Sequence, residues 1–369
     1  MRTETRDRVS IFIPSLREGG AERAMAVLSG EMTKRGCAVD LVLAQGEGPH
    51  LSEVSPAVRV IDLKAPRIRS SIFALARYMH RERPTAMLAV MNHANIVALW
   101  AKRLIGGQTR LVVSERNTLT SSTENSSSRV ERLMPHLMTK FYPWADGITA
   151  VSHGVADDLA NVCGIARTRI KVIYNPVARP DVHERALEQI SHPWFEPGGP
   201  PVILGVGRLT PQKDFSTLIR AFARVRRERV ARLLILGEGI ERTALESLAC
   251  NLGVHQDVSL PGFVSNPYPF MRQASVFVLS SKWEGLPAVL IEALFCGAPV
   301  VSTRCPSGPP EILDNGKYGQ LVPVGDEAAM ASAIASTLDK KTPGPDPQSW
   351  RPFAIDSIVD QYLSTLLPN

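Results

Sequence analysis

Short β-branched or apolar runs recur along the whole chain. Each is closed by a Gly, Pro or polar turn and followed by a segment of helical period, the pattern of βα units around a parallel sheet. One series comprises Val9–Ile13, Val39–Leu43, Ala86–Val90, Leu111–Ser114, Gly147–Val151 and Ile170–Tyr174. A second comprises Val202–Gly207, Leu233–Leu236, Val258–Leu260, Val276–Leu279, Pro299–Thr303 and Gln320–Val322. Between them lies 178–201, with five prolines, paired glycines and several charges, a linker composition. A length of 369 residues suits two domains at roughly 150 residues each. The expectation is an α/β chain of two doubly wound parallel sheets: 1–180, a linker at 181–201, 202–350, and a helix in 351–369 that packs back toward the first domain. Sheets of this kind take ligands outside the carboxyl ends of their strands, so chemistry is expected in a cleft between the two.

Composition narrows the function class. An apolar fraction of 44% excludes general disorder, and no run reaches the roughly 18 apolar residues that cross a bilayer. The polar opening Met1–Arg8 lacks the apolar stretch of a secretory leader, which points to the cytoplasm. Cys37, Cys163, Cys250, Cys296 and Cys305 are scattered, without C-x-x-C or metal spacing, and read as reduced thiols. The net charge of +6 permits nucleic acid, anionic lipid or a phosphorylated small molecule as partner. Low aromatic content and dispersed cations argue against nucleic acid.

Three segments carry the chemistry. After the strand Val276–Leu279 comes Glu284-Gly285-Leu286-Pro287, with Glu292 further along the following helix. Eight helical residues span about 12 Å, too far for the carboxylate pair of a retaining glycoside hydrolase at about 5 Å. The two carboxylates are better placed to grip distant hydroxyl groups of one extended ligand. Pro287 suits the helix's first turn. After Val202–Gly207, Arg208 offers a planar fork and Lys213 a compact charge, together able to neutralise a diphosphate without a metal. After Val9–Ile13, Gly19 and Gly20 let backbone approach a ligand closely. This is not the G-x-G-x-x-G dinucleotide pattern, and no cofactor is implied.

Together, Gly-Gly-Ala-Glu-Arg (19–23), Gly-Arg-Leu-Thr-Pro-Gln-Lys-Asp-Phe (207–215) and the Glu284-x7-Glu292 region with its flanks resemble family-four retaining glycosyltransferases of the GT-B fold. Asp146–Ser152, Tyr174–Pro176, Leu236–Gly239, Pro261–Phe263 and Gly308–Ile312 fit in order, so the resemblance covers almost the whole chain. It implies two Rossmann-like domains facing across a cleft and a sugar-nucleotide donor held mainly by the second. Arg208 and Lys213 would bind the diphosphate, and Glu292 the ribose. Glu284 and the Gly285-Leu286-Pro287 turn would meet the donor sugar, and Pro261–Val264, with Gly262 and Phe263, the base. Gly19 and Gly20 would close over the phosphates. Retention and metal independence are likewise implied by the resemblance.

Many relatives place a histidine after the strand Leu111–Ser114, whereas this chain reads Ser114-Glu115-Arg116-Asn117. Glu115, Arg116 or Asn117 would contact acceptor or sugar instead. That form resembles a subgroup building bacterial surface glycans on lipid-linked intermediates. The resulting expectation is transfer of a hexose or N-acetylhexosamine, UDP favoured as the nucleotide, to a glycan or polyprenyl-diphosphate-glycan in cell-envelope polysaccharide synthesis. The alternatives are a catalytically silent sugar-nucleotide binder and a transferase with a soluble acceptor. His153 reads as a helix-start residue rather than a base. Arg67–Arg83 and Arg129–Tyr142 read as amphipathic basic helices, suited either to an anionic membrane at the inner face of the cytoplasmic membrane or to packing on the sheet with a solvated basic face. Thr118–Ser128 reads as a mobile surface loop, and 353–367 as an amphipathic helix.

Overall fold

A computed structural model describes residues 7–17, 19–124, 128–340 and 345–368. The chain forms two compact units, one running to Pro176 and resuming at Ile355, the other Val177–Ala354.

The first unit holds a parallel sheet of β1 (Arg8–Ile13), β2 (Ala38–Leu43), β3 (Arg59–Asp62), β4 (Ala86–Val90), β5 (Arg110–Glu115), β6 (Gly147–Ala150) and β7 (Ile170–Val172). Their order is β3-β2-β1-β4-β5-β6-β7, so strand order reverses between β1 and β4. Every residue of β4 is buried, which is why it reads as a continuous apolar run rather than an alternation. Edge strand β3 is absent from the sequence reading. Its Arg-Val-Ile-Asp is largely exposed and has no apolar run. Pairing with β2 fixes it, reinforced where Arg59 forks onto the buried Asp40 at 2.8 and 2.6 Å.

The helix Ile355–Leu366 buries Ile355, Ile358, Val359, Tyr362 and Leu366 in this unit's core. Arg35 holds it from outside by pairing with Asp356 and Asp360. The Ser/Thr-rich stretch read as a loop contains a helix, Leu119–Glu124, whose first backbone amide donates to Asp158. Capping by a carboxylate from a distant helix is invisible in local composition. Residues 125–127 of that stretch lie outside the described residues.

The second unit's parallel sheet comprises β8 (Val202–Val206), β9 (Arg232–Leu236), β10 (Val258–Gly262), β11 (Val276–Leu279), β12 (Val300–Thr303) and β13 (Gln320–Val322). The order β10-β9-β8-β11-β12-β13 again reverses, between β8 and β11. The helix Phe215–Glu228 buries Phe215, Leu218, Ile219, Phe222 and Val225, the i, i+3, i+4 stripe of a core-facing helix. The segment 181–201 belongs to this unit. Pro180–Arg185 is helical, Arg185 stacks over Tyr268 and Phe195 packs edge-on against Phe270. Its charges and aromatics have partners far along the chain, which Pro/Gly content does not reveal.

Candidate active site

The switch point between β8 and β11 is where an open α/β sheet offers a crevice at its carboxyl edge. The loops leaving these two strands are joined there. The Lys282 amide donates to the Gln212 carbonyl at 2.8 Å, Gln212 Nε2 to the Trp283 carbonyl at 2.9 Å, and Ser280 Oγ to the Lys213 carbonyl at 2.7 Å. That stitching brings together Lys213 and Glu284, which are 71 positions apart. Lys213 Nζ donates to Glu284 Oε1 at 2.6 Å, and Ser281 Oγ donates to the same oxygen at 2.6 Å. Both partners are nearly buried, with side-chain exposures of 14% and 8%.

Glu284 is further fixed by its backbone, whose amide donates to the Pro306 carbonyl at 3.0 Å. Ser307 Oγ caps the Gly285 carbonyl at 3.0 Å, and a side chain on Gly308, at φ +88°, would strike Pro287. Gly285, Leu286 and Pro287 are therefore clamped from behind. The helix that follows is Ala288–Phe295, with Pro287 its cap rather than a first-turn residue. Glu292 is buried within it and accepts from Tyr268 Oη at 3.0 Å. The two glutamates thus accept from different groups, Glu284 from Lys213 and Ser281 and Glu292 from Tyr268.

Arg208 is exposed, and its guanidinium makes no hydrogen bond or ion pair within the described residues. Its loop is pinned to those after β9 and β10. Leu209 N donates to the Glu238 carbonyl at 2.8 Å, and Gly237 N to the Gly262 carbonyl at 2.8 Å. A Cβ on Gly237, at φ +146°, would lie 1.9 Å from the Gly207 carbonyl oxygen, so only glycine lets these loops meet. Phe263, next after Gly262, is 60% exposed at the end of β10, an open aromatic face on the same edge.

In the first unit Gly19 precedes the helix Gly20–Lys34, and a Cβ on Gly19 would collide with the Glu22 carboxylate. Asn117 is exposed just beyond β5. Glu115, the last residue of β5, is buried and accepts from Tyr142 Oη and, at 2.8 Å, from Asn95 Nδ2. Burial raises its carboxyl to about 7 against the opposing pull of these donors and of Arg116, and it pushes the Tyr142 hydroxyl upward as well. His153 opens the helix His153–Cys163 behind the Ser152 cap, and its ring meets Arg167. The sequence reading missed Ser281, Tyr268, Asn95 and Tyr142. Ser281 carried a usable signal, a hydroxyl three residues before Glu284 on the same loop; the other three are distant in sequence.

Two parallel-sheet units, each with a reversal of strand order and polar loops at its carboxyl edge, define a pair of Rossmann-like domains, and solved structures agree on that architecture. Anabaena HepE in complex with UDP and glucose superposes with a TM-score of 0.76 at 20% identity, over 98% of this chain and 99% of that one. The sucrose-phosphate synthase of Thermosynechococcus elongatus reaches 0.77 at 19% identity, over 97% of each chain. Both are GT-B structures. Residues 18–179 match the model for Glycosyltransferase Family 4, and residues 200–340 that for Glycosyl transferases group 1. A Campylobacter jejuni protein, N-acetylgalactosamine-N,N'-diacetylbacillosaminyl-diphospho-undecaprenol 4-alpha-N-acetylgalactosaminyltransferase, is 33% identical over 90% of each chain. The lipopolysaccharide core biosynthesis glycosyltransferase LpsE of Rhizobium meliloti is 27% identical, over 86% of this chain and 85% of that protein. The chain belongs to the family 4 glycosyltransferases of the GT-B fold.

Proposed function

We propose that this glycosyltransferase moves a hexose or N-acetylhexosamine, with retention and without a metal, from a UDP-sugar to a lipid-linked glycan of the bacterial cell envelope. The observation that carries the reading is the Lys213–Glu284 pair at the β8/β11 switch point, inside the family's own motifs. The acceptor class is supported by the Campylobacter relative, whose name specifies a diphospho-undecaprenol glycan.

In this reading Arg208 is the principal cation for the donor diphosphate, because it has no partner among the described residues. Lys213 adds a second charge: an ammonium has three donors, and Glu284 occupies one. Glu284 and the clamped Gly285-Leu286-Pro287 turn face the sugar, Glu292 the ribose, and Gly262 with Phe263 the base. Gly19 and Gly20 approach the phosphates, and Asn117 the acceptor or sugar. The acceptor hydroxyl attacks the anomeric carbon on the face from which the diphosphate departs. The new C–O bond forms as the bond to phosphate breaks, and a leaving phosphate oxygen takes the hydroxyl proton. The protein then contributes positioning and charge stabilisation rather than a nucleophile.

Among the described residues no helix is long and apolar enough to cross a membrane. Peripheral docking is favoured by the exposed faces of two helices. Ile72–Glu82 presents Phe73, 73% exposed, between Arg69 and Arg77, and Arg129–Phe141 presents Val130 and Leu133, with Lys140 exposed in its last turn. Apolar groups set among cations suit an anionic lipid surface.

A screen of UDP- and GDP-sugars by thermal stabilisation, followed by transfer to a polyprenyl-diphosphate glycan, tests the reading, since a ligand bound only to the native state raises its apparent stability. A UDP-hexose or UDP-N-acetylhexosamine should stabilise and be consumed. Stabilisation without transfer or hydrolysis would mark a silent binder.

A further inference from the structure

Arg116 lies directly after β5 in the first unit and is 6% exposed. Buried charges are ordinarily paired, because the desolvation cost is otherwise uncompensated. Among the described residues Arg116 has two hydrogen-bond partners, and neither is an acid. Nη1 donates to Asn175 Oδ1, and Nη2 reaches the thioether sulfur of Met25 at 3.1 Å. Its Nε, fully buried, has no partner. Of five guanidinium donors, three have no partner among the described residues and a fourth is spent on sulfur, a weak acceptor.

The acids nearby take their hydrogen bonds elsewhere. Glu115 attracts Arg116 through space but accepts its hydrogen bonds from Tyr142 and Asn95. Asp158 accepts from the Leu119 and Thr120 amides and the Thr120 hydroxyl. Met25 lies in the second turn of the helix Gly20–Lys34, which begins at the paired glycines. The cation therefore sits at the carboxyl edge of the sheet, beside the helix that starts at the glycine turn.

We infer that Arg116 is an oxyanion-binding residue of the first unit, whose ligand is a diphosphate group that takes the place of the Met25 sulfur. The inference rests on the transferase reading for its ligand, since that reaction brings two diphosphates, one on the nucleotide donor and one on the lipid acceptor. Asn175 holds the fork in place, while Met25, flexible and weakly bonded, yields the position at little cost.

Two titrations separate the sources. In the first, UDP is titrated into the wild type, Arg116→Gln and Arg116→Lys. In the second, inorganic diphosphate is titrated into the same proteins, free and saturated with UDP. A tenfold or greater loss of UDP affinity in Arg116→Gln, partly restored in Arg116→Lys, assigns the donor diphosphate. Diphosphate binding that persists in UDP-saturated wild type and disappears in Arg116→Gln assigns the acceptor. Affinities unchanged within twofold in both titrations overturn the inference. If the wild type binds no UDP but free diphosphate still depends on Arg116, the nucleotide reading fails and the anion site stands. Met25→Leu provides a second measurement should Arg116→Gln not fold. Removing the competing sulfur should tighten diphosphate binding two- to fivefold, and unchanged or weaker binding would count against the site.

Discussion

Glu115 makes the first unit's stability depend on pH in an unusual direction. Its carboxyl, ordinarily at 4.5, stands at about 7 in the folded chain because burial penalises the anion more than Tyr142, Asn95 and Arg116 favour it. The folded protein therefore holds this proton more tightly than the unfolded chain does. Stability from this group is fully present below pH 4.5, falls as pH rises through 7, and is level above. A pKa gap of about 2.5, at about 1.4 kcal/mol for each, makes the loss about 3 kcal/mol. Glu115→Gln keeps an acceptor oxygen for Tyr142 and Asn95 and removes the titration. The variant should match wild type near pH 4.5 and exceed it by about 3 kcal/mol at pH 8. Scanning calorimetry from pH 5 to 8, following the first unit's transition, should show the difference as a widening gap of several degrees. A constant offset between the two proteins across that range would refute the argument. It would mean that the carboxylate is solvated or paired more strongly than its surroundings indicate.

Lys213→Met strands a buried carboxylate on Glu284 and should cost about 3–5 kcal/mol, with turnover down about 10²–10³-fold. Adding Glu284→Gln should restore most of the stability and none of the turnover, as denaturation and transfer assays on the two variants will show. Gly237→Ala forces a Cβ against the Gly207 carbonyl and should lower the second unit's melting temperature by roughly 5–10 °C, whereas a change under 2 °C would mean that the loops part easily. Flotation with vesicles should show preference for anionic lipid, lost in Phe73→Ser with Arg77→Gln; equal flotation with neutral lipid would exclude the docking face.

The two sheets were legible because their central strands are buried on both faces and leave unbroken apolar runs, as in β4 and β11. Edge strand β3 was not, because exposure removes that signal and its register depends on Asp40. Arg208, Lys213 and Glu284 of the candidate site could be recognised one by one, since each follows a strand and carries its chemistry in its own side chain. Their partnerships could not. Tyr268 lies 24 positions from Glu292, and nothing local distinguishes it from any other core tyrosine.

The pairing of Lys213 with Glu284 also changes how the positive charge of this site must be counted. Read along the chain, Arg208 and Lys213 are two cations for one diphosphate, and Glu284 is a separate sugar contact. In the fold, Lys213 and Glu284 form a nearly neutral buried pair, which leaves Arg208 as the exposed charge. A buried pair of this kind adds little net stability, because desolvation offsets most of the attraction. Its value lies in geometry: Ser281 and Lys213 together fix one oxygen of Glu284 and leave the other free of both. The motif's lysine therefore orients the carboxylate even before any donor arrives. Exchange of Lys213 for arginine should consequently disturb the proposed sugar contact as well as the proposed phosphate contact, raising KM for the donor and lowering kcat together. An effect confined to KM would assign Lys213 to the phosphates alone.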